Sequence, residues 1–117
     1  MQGLEWEEIE SAGCVVLRLR GNIAMYNSRD LEQRLDELAL EERRHVALNL
    51  KDVSYFDSRG MGLFLDAFKK FEERRTRFCL VSIPPARVQH FKISGLLGVI
   101  QVYRTEEAAL ADLGGDL

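Results

Sequence analysis

The residues with the clearest chemical potential lie in the run D-S-R-G-M-G, residues 57–62. Ser58 stands at the predicted start of a helix, either as the cap or as the first helical residue, with Asp57 as the competing cap. Both assignments place the Ser58 hydroxyl among unpaired backbone N–H groups at the positive end of the helix dipole, an environment that favours a phosphate. Ser58 is therefore either a phosphorylation site or an ordinary helix cap, which is the commoner role of such a serine.

Two glycines follow this serine within the first turns of the same helix. Gly60 and Gly62 each cost roughly 1 kcal/mol relative to alanine in a helix interior, and violations of local preference tend to mark functional sites. Because a glycine lets another backbone come close, the pair either serves a binding partner or eases the packing of the helix on a sheet. We expect Gly60→Ala to weaken partner binding more than it weakens folding.

A hydrolase that uses Ser58 as its nucleophile is an alternative with little support. The nucleophile elbow requires a glycine two residues before the serine, and Phe56 occupies that position. His90 is the candidate base, but the chain is short and lacks an evident oxyanion loop. The sequence therefore indicates a protein that is not an enzyme.

The cysteines and histidines do not form a recognisable metal site. Cys14 and Cys79 lie in the apolar runs CVVLRL and FCLVSI, which predicts two buried, reduced thiols. His45 and His90 have no ligand-like spacing to either of them. We expect no metal and no cofactor.

Length and composition indicate one small domain over residues 1–117, with a core of about residues 4–113. The chain has 117 residues, 46% of them hydrophobic, and its 16 basic and 19 acidic side chains give a net charge of −3. This acidic balance argues against nucleic acid as a partner, because nucleic acid requires concentrated positive charge. An acidic start of the chain and the lack of a long apolar run predict a cytoplasmic protein without direct membrane insertion.

Apolar segments of two periodicities alternate along the chain. Those with strand character are residues 4–9, 14–19, 46–50, 78–83 and 99–103, and Tyr55-Phe56 is a further apolar pair. Those with helical character begin after Asn27, at residues 57–61, at Pro85 and after Thr105. This alternation predicts an α/β domain with a mixed central sheet of about 4–5 strands and about 4 helices, packed mainly on one face.

Local signals mark several helix boundaries. Asn27 is a plausible N-cap of the first helix, with Tyr26 and Leu31 at the two positions of a hydrophobic staple. Thr105 is the plausible cap of the last helix, and Pro84 should end the fourth strand.

Several motifs together carry a family resemblance. They are V-S-Y-F-D-S-R-G-M-G-L-F, G-N-I-A-M-Y-N-S near the start, I-S-G-L-L-G-V-I late in the chain and T-E-E-A-A-L at the end. In this order and at this spacing they resemble a STAS domain, and more narrowly the stand-alone bacterial anti-sigma factor antagonists. The resemblance covers nearly the whole chain.

The resemblance implies a phosphorylation switch at Ser58. In that family the unphosphorylated antagonist binds an anti-sigma factor, a serine kinase with an ATPase-like fold, and so releases a sigma factor. The kinase phosphorylates the serine, the complex dissociates, and a metal-dependent serine phosphatase restores the antagonist. The resemblance implies a monomer or weak homodimer and the partner-binding residues Asn22, Ala24, Asp57, Ser58, Arg59, Gly60, Met61 and Gly62.

Three positions depart from the usual family pattern. Arg59 replaces a small residue after the phosphoacceptor, where it could pair with a phosphate or serve partner specificity. Ala24 stands where the family often has an acidic residue, and Asn49 where many members have Asp. The change at Asn49 is milder, since both residues occur in the family. Arg59 and Ala24 leave room for a second function, namely a STAS interaction or scaffold subunit, in a stress-signalling assembly or a lipid-transport complex, without a phosphorylation cycle.

Overall fold

The computed structural model describes residues 3–11, 13–24, 27–40 and 44–114. Its strands are β1 (Leu4–Ser11), β2 (Cys14–Ile23), β3 (His45–Phe56), β4 (Phe78–Val81) and β5 (Val102–Tyr103). Its α-helices are α1 (Arg29–Leu40), α2 (Ser58–Glu73), α3 (Val88–Ser94) and α4 (Glu106–Gly114). Single 3-10 turns at Pro85–Arg87 and Leu96–Gly98 flank α3.

The five strands form one mixed sheet in the order β1-β2-β3-β4-β5. β1 is antiparallel to β2, and the other neighbouring pairs are parallel. The carboxyl ends of β2 to β5 therefore lie at one edge of the sheet, the edge at which open α/β sheets usually present their functional loops. The predicted fold class, α/β with a mixed sheet, is confirmed.

Most helices cover one face of the sheet. The larger core cluster contains side chains of α1, α2 and α3, including Leu35, Phe64 and Phe91, packed with alternate residues of β2 and β3. A smaller cluster on the opposite face holds Ala109 and Leu113 of α4. The prediction that helices pack mainly on one face is thus confirmed, with α4 as the exception.

The two cysteines lie beneath α4. Cys14 and Cys79 are buried thiols that form no disulfide in the structure, and both belong to the smaller core cluster, as the sequence predicted. None of the described helices is both long and apolar enough to cross a bilayer.

Three boundaries differ from the sequence prediction. β3 is one strand of 12 residues that includes Tyr55 and Phe56, because its ladder with β2 continues past the exposed polar residues 51 and 52 through two register shifts. β4 ends at Val81, before Pro84, because Ser82 takes a left-handed conformation with φ 56°. β5 is only two residues long, because Val99 and Ile100 still belong to the turn after α3, where their N–H groups donate to the Leu96 carbonyl oxygen at 3.0 and 2.8 Å.

The two predicted helix caps had different outcomes. Thr105 is confirmed, because its Oγ1 accepts a hydrogen bond from the N–H of Ala108 at 3.1 Å. Asn27 is wrong as the cap of α1, which begins two residues later at Arg29. The Asn27 side chain bonds backwards to residues 22 and 24, and the proposed staple residue Tyr26 lies outside the described residues.

Candidate functional site

The start of α2 lies at the carboxyl edge of the sheet, directly after β3. Asp57 is the N-cap, since it has extended backbone angles and its Oδ1 accepts a hydrogen bond from the Gly60 N–H at 3.0 Å. Its own N–H donates to the carbonyl oxygen of Ile23 at 3.2 Å, which ties the cap to the end of β2. The choice between two caps is thereby resolved: Asp57 caps the helix, and Ser58 is its first residue.

The end of β2 runs beside this helix start. Asn22 pairs with Tyr55, and Ile23 pairs with Phe56, so the last residues of β2 and β3 are neighbours. The Asn27 side chain holds the following loop, because its Nδ2 donates to the Asn22 carbonyl oxygen and its Oδ1 accepts from the N–H of residue 24, both at 2.9 Å. The structure thus brings half-buried Asn22 close to the start of α2.

Ala24 belongs to this loop but turns inward. Its side chain is only 5% exposed and is part of the buried apolar set. An alanine fits there without needing a polar partner, whereas a carboxylate at this burial would require one. The Ala24 side chain therefore packs inside the domain, and its N–H, which donates to Asn27, makes it a structural part of the loop. Its role as a partner-binding residue stays a prediction.

The two glycines of α2 differ in their surroundings. A Cβ on Gly60 would lie 2.9 Å from Cγ2 of Ile23 and 3.1 Å from its carbonyl oxygen, so Gly60 is needed for contact inside the domain. Gly62 is exposed, and a Cβ there would meet nothing within 4 Å. Packing inside the domain therefore explains Gly60, and Gly62 is the glycine that leaves room at the surface; an effect of Gly60 on partner binding stays a prediction.

Three aromatic side chains pack in the core between the sheet and the start of α2. The Phe56 ring contacts the Phe91 ring edge-on at a centroid distance of 5.0 Å, and the Phe64 ring stacks on Phe91 at 6.1 Å. All three side chains are at most 1% exposed. Half-buried Met61 packs against the same core, so it offers only part of its side chain to the surface. These buried contacts therefore fix the start of α2 against the core.

Sequence reasoning missed two surface residues at this edge. It treated Tyr55 and Phe56 as one apolar pair, but Phe56 is buried and Tyr55 is 46% exposed. The guanidinium carbon of Arg87 lies 5.7 Å from the centroid of the Tyr55 ring, and Arg87 Nη2 donates to the carbonyl oxygen of Ser54 at 2.6 Å. Alternation along β3 could have separated the two aromatic side chains, but no local signal pointed to Arg87.

A separate polar cluster fixes the start of α4. Arg18 Nε and Nη2 each donate to the Glu106 carboxylate at 2.8 Å, and Asn49 Nδ2 donates to it at 2.6 Å. The hydrogen bonds from Arg18 lower the pKa of Glu106 most, and the one from Asn49 lowers it further, against the opposing effect of burial. Asn49 thus has a structural role here, since its amide can donate a hydrogen bond that an ionised aspartate could not.

Comparisons with known proteins agree on one family. The family model described as the STAS domain matches residues 5–109. An anti-sigma F factor antagonist of Paenibacillus polymyxa is 27% identical over 112 residues, which cover 94% of this chain and 95% of that protein. The resemblance noted in the sequence is therefore confirmed.

Solved structures agree on the fold. The crystal structure of an anti-sigma factor antagonist from Mycobacterium paratuberculosis has a TM-score of 0.85 at 21% identity and covers 95% of this chain and 94% of its own. The Bacillus cell fate determinant SpoIIAA in its phosphorylated form has a TM-score of 0.72 at 23% identity, with coverages of 94% and 98%. At such identities these likenesses establish the fold alone.

Proposed function

The chain belongs to the STAS domain family, and we propose that it acts as an anti-sigma factor antagonist controlled by phosphorylation of Ser58. The unphosphorylated protein would bind an anti-sigma factor serine kinase and thereby release a sigma factor. The observation that carries this proposal is the position of Ser58 as the first residue of α2, directly after the capping residue Asp57. The P. polymyxa relative, named an anti-sigma F factor antagonist, supports it.

The helix start suits a serine that gains and loses a phosphate. The first turn of a helix has unpaired N–H groups and the positive end of the dipole, which stabilise added negative charge. The Asp57 carboxylate accepts the N–H of Gly60. Among the described contacts, no carboxylate accepts the other N–H groups of the first turn. A phosphate on Ser58 is therefore compatible with the fold.

The same phosphate would oppose partner binding. It adds a charge of about −1.5 to −2 next to the Asp57 carboxylate, so an interface that accepts a neutral serine there would have to accommodate two adjacent anions. The net charge of the chain would change from −3 to about −5. Repulsion at the interface, and no rearrangement of the core, is the proposed basis of the switch.

The proposed cycle needs two enzymes as partners. The anti-sigma factor kinase phosphorylates Ser58 within the complex, and a serine phosphatase of the metal-dependent type restores the binding form. In this proposal the antagonist supplies the substrate serine, docks through Asn22, Asp57, Arg59, Met61 and Gly62, and carries out no catalytic step.

A binding and phosphorylation experiment tests the proposal. We expect the Ser58→Ala variant to stay bound to the purified anti-sigma factor kinase encoded in the same genome, and Ser58→Asp to lose binding. Incubation with this kinase and ATP should add one phosphate, by intact mass, to the wild type and to the control Ser54→Ala, and none to Ser58→Ala. Equal binding by Ser58→Ala and Ser58→Asp would instead favour a constitutive STAS interaction subunit.

A serine-reactive probe separates the proposal from the hydrolase alternative. We expect an activated phosphonate to leave the native protein unlabelled, because the proposed function needs no activated hydroxyl at Ser58. Stoichiometric labelling of Ser58, together with turnover of an activated ester, would refute the assignment as an antagonist without catalytic activity.

A further inference from the structure

A stacked pair of side chains, Tyr55 and Arg87, lies at the same edge of the sheet as the start of α2. Among the described residues, Tyr55 is one of three large apolar side chains with substantial exposure, at 46%. The Arg87 guanidinium carbon lies 5.7 Å from the centroid of its ring, and Nη2 of the same group donates to the Ser54 carbonyl oxygen at 2.6 Å. Both side chains are therefore held in place before any partner arrives.

The core beneath explains why these two residues meet. Phe56 points into the core and contacts Phe91 of α3, with ring centroids 5.0 Å apart. Because side chains alternate along a strand, the neighbouring Tyr55 is left at the surface. Arg87 ends the 3-10 turn that leads into α3, so the packing of α3 on Phe56 places this arginine over Tyr55.

The chemistry of the pair is that of a recognition surface. A guanidinium has five N–H donors in a planar fork that can hold a carboxylate with two bonds. Within residues 3–11, 13–24, 27–40 and 44–114, the polar and ring contacts of the Arg87 side chain are the Ser54 carbonyl and the Tyr55 ring, and neither is a carboxylate. Tyrosine and arginine are also the residue types that most often dominate binding energy in protein interfaces.

The pair continues the surface proposed to bind the kinase. Tyr55 pairs in register with Asn22 and is separated from the helix cap Asp57 by a single residue. Nearby, Gly62 is exposed and leaves open space above α2. Tyr55, Asn22 and Gly62 thus lie in or next to the segments that meet at the start of α2, and Arg87 stacks on Tyr55.

We infer that the Tyr55–Arg87 pair is a specificity-determining contact for an acidic segment of the anti-sigma factor kinase. An apolar side chain of that segment lies on the exposed part of the Tyr55 ring, and a carboxylate binds the free donors of Arg87. This inference rests on the proposed function, because the occupant it names is the kinase. Charge supports the choice, because among the described residues no carboxylate pairs with the Arg87 guanidinium, whose contacts are a carbonyl oxygen and a ring.

Affinity measurements by calorimetry with the purified kinase test the inference. We expect Tyr55→Ala and Arg87→Ala each to raise the dissociation constant about 10- to 30-fold. Arg87→Lys keeps the charge but loses the planar fork and the stacking, so we expect an intermediate loss. Binding of the wild type should also weaken with added salt, and this dependence should decrease in Arg87→Ala.

Two control variants remove a similar charge and a similar apolar side chain far from Tyr55 and Arg87. Lys69→Ala removes one exposed positive charge about 16 Å along α2 from its first residue, and Leu40→Ala removes an exposed apolar side chain at the end of α1. Both should bind the kinase as the wild type does. Thermal melts of all variants confirm that they fold, which is expected because the substituted side chains are at least partly exposed.

The outcomes separate this inference from the proposed function. If the wild type binds, Ser58→Asp does not, and Tyr55→Ala and Arg87→Ala bind as tightly as the controls, the inference is overturned while the proposed function holds. If the folded wild type does not bind the kinase, the proposed function fails. A selective loss of affinity in the two edge variants supports both.

Discussion

Replacing Gly60 with alanine tests how closely α2 packs against the end of β2. Gly60 is buried in the first turn of the helix. A Cβ at this position would lie 2.9 Å from Cγ2 of Ile23, 3.1 Å from the Ile23 carbonyl oxygen and 3.3 Å from Cβ of Phe56. The carbonyl oxygen cannot simply retreat, because it accepts the hydrogen bond from the Asp57 N–H at 3.2 Å.

Two opposing effects set the magnitude. Alanine is more favourable than glycine in a helix by up to about 1 kcal/mol. Overpacking a well-packed site typically costs about 1–3 kcal/mol, and here the crowded atoms include a backbone oxygen. We expect the second effect to dominate and Gly60→Ala to lower the free energy of unfolding by about 1–2 kcal/mol, or the melting temperature by roughly 4–10 °C.

The matched control is Gly62→Ala, two residues further along the same helix. A Cβ at Gly62 meets nothing within 4 Å, so this variant should be as stable as the wild type or more stable by up to about 1 kcal/mol. Circular dichroism melts of the three proteins at one concentration measure the difference. A Gly60→Ala protein that melts at or above the wild-type temperature would refute the reasoning, since it would mean that Ile23 moves away without lowering the stability.

Three further predictions concern the cap, an ion pair and a thiol. Asp57→Ala removes the carboxylate that accepts the Gly60 N–H, so we expect a loss of about 1 kcal/mol in urea unfolding; an unchanged midpoint would contradict the capping role. Arg18 holds the pKa of Glu106 below its ordinary value of 4.5, and such a carboxylate stabilises the fold above its unfolded-state pKa and loses that effect as the pH falls. The melting temperature of Glu106→Gln should therefore lie below that of the wild type at pH 7 and approach it towards pH 3, and a difference independent of pH would count against the ion pair. Burial raises the pKa of Cys79 to about 12, so iodoacetamide at pH 8 should label it in urea but not in the native protein, as read by peptide mass.

The parts of the fold that the sequence predicts well are those governed by burial. The helical spacing of Phe64 and Phe71 placed both on the core side of α2, and each is fully buried. The apolar runs around Cys14 and Cys79 became strands of the sheet with buried thiols. Periodicity succeeds here because removing apolar surface from water is the dominant driving force and depends on side-chain type.

Features that depend on contacts between distant segments were not predictable from local signals. Asn27 looked like a helix cap, but two backbone groups of the preceding loop compete for its amide. Arg87 reaches a carbonyl 33 residues earlier in the chain, a contact that only the packing of α3 creates. Gly60 is unusual by its position in a helix, but only the packing of α2 against β2 shows that the crowding comes from Ile23.

The start of α2 combines a fixed interior with an open surface, and this combination bears on how a switch can work there. Gly60 and Gly62 are two residues apart, about 200° around a helix, so one is pressed against β2 while the other faces outward. The inner side is secured by the Asp57 cap and by the aromatic packing of Phe56, neither of which a phosphate on Ser58 would need to displace. A charge added at the first residue of this helix would therefore alter what the surface accepts while the fold beneath stays the same. Under the proposed function, binding would then change through repulsion at the interface while the packing of α2 on the sheet stays the same.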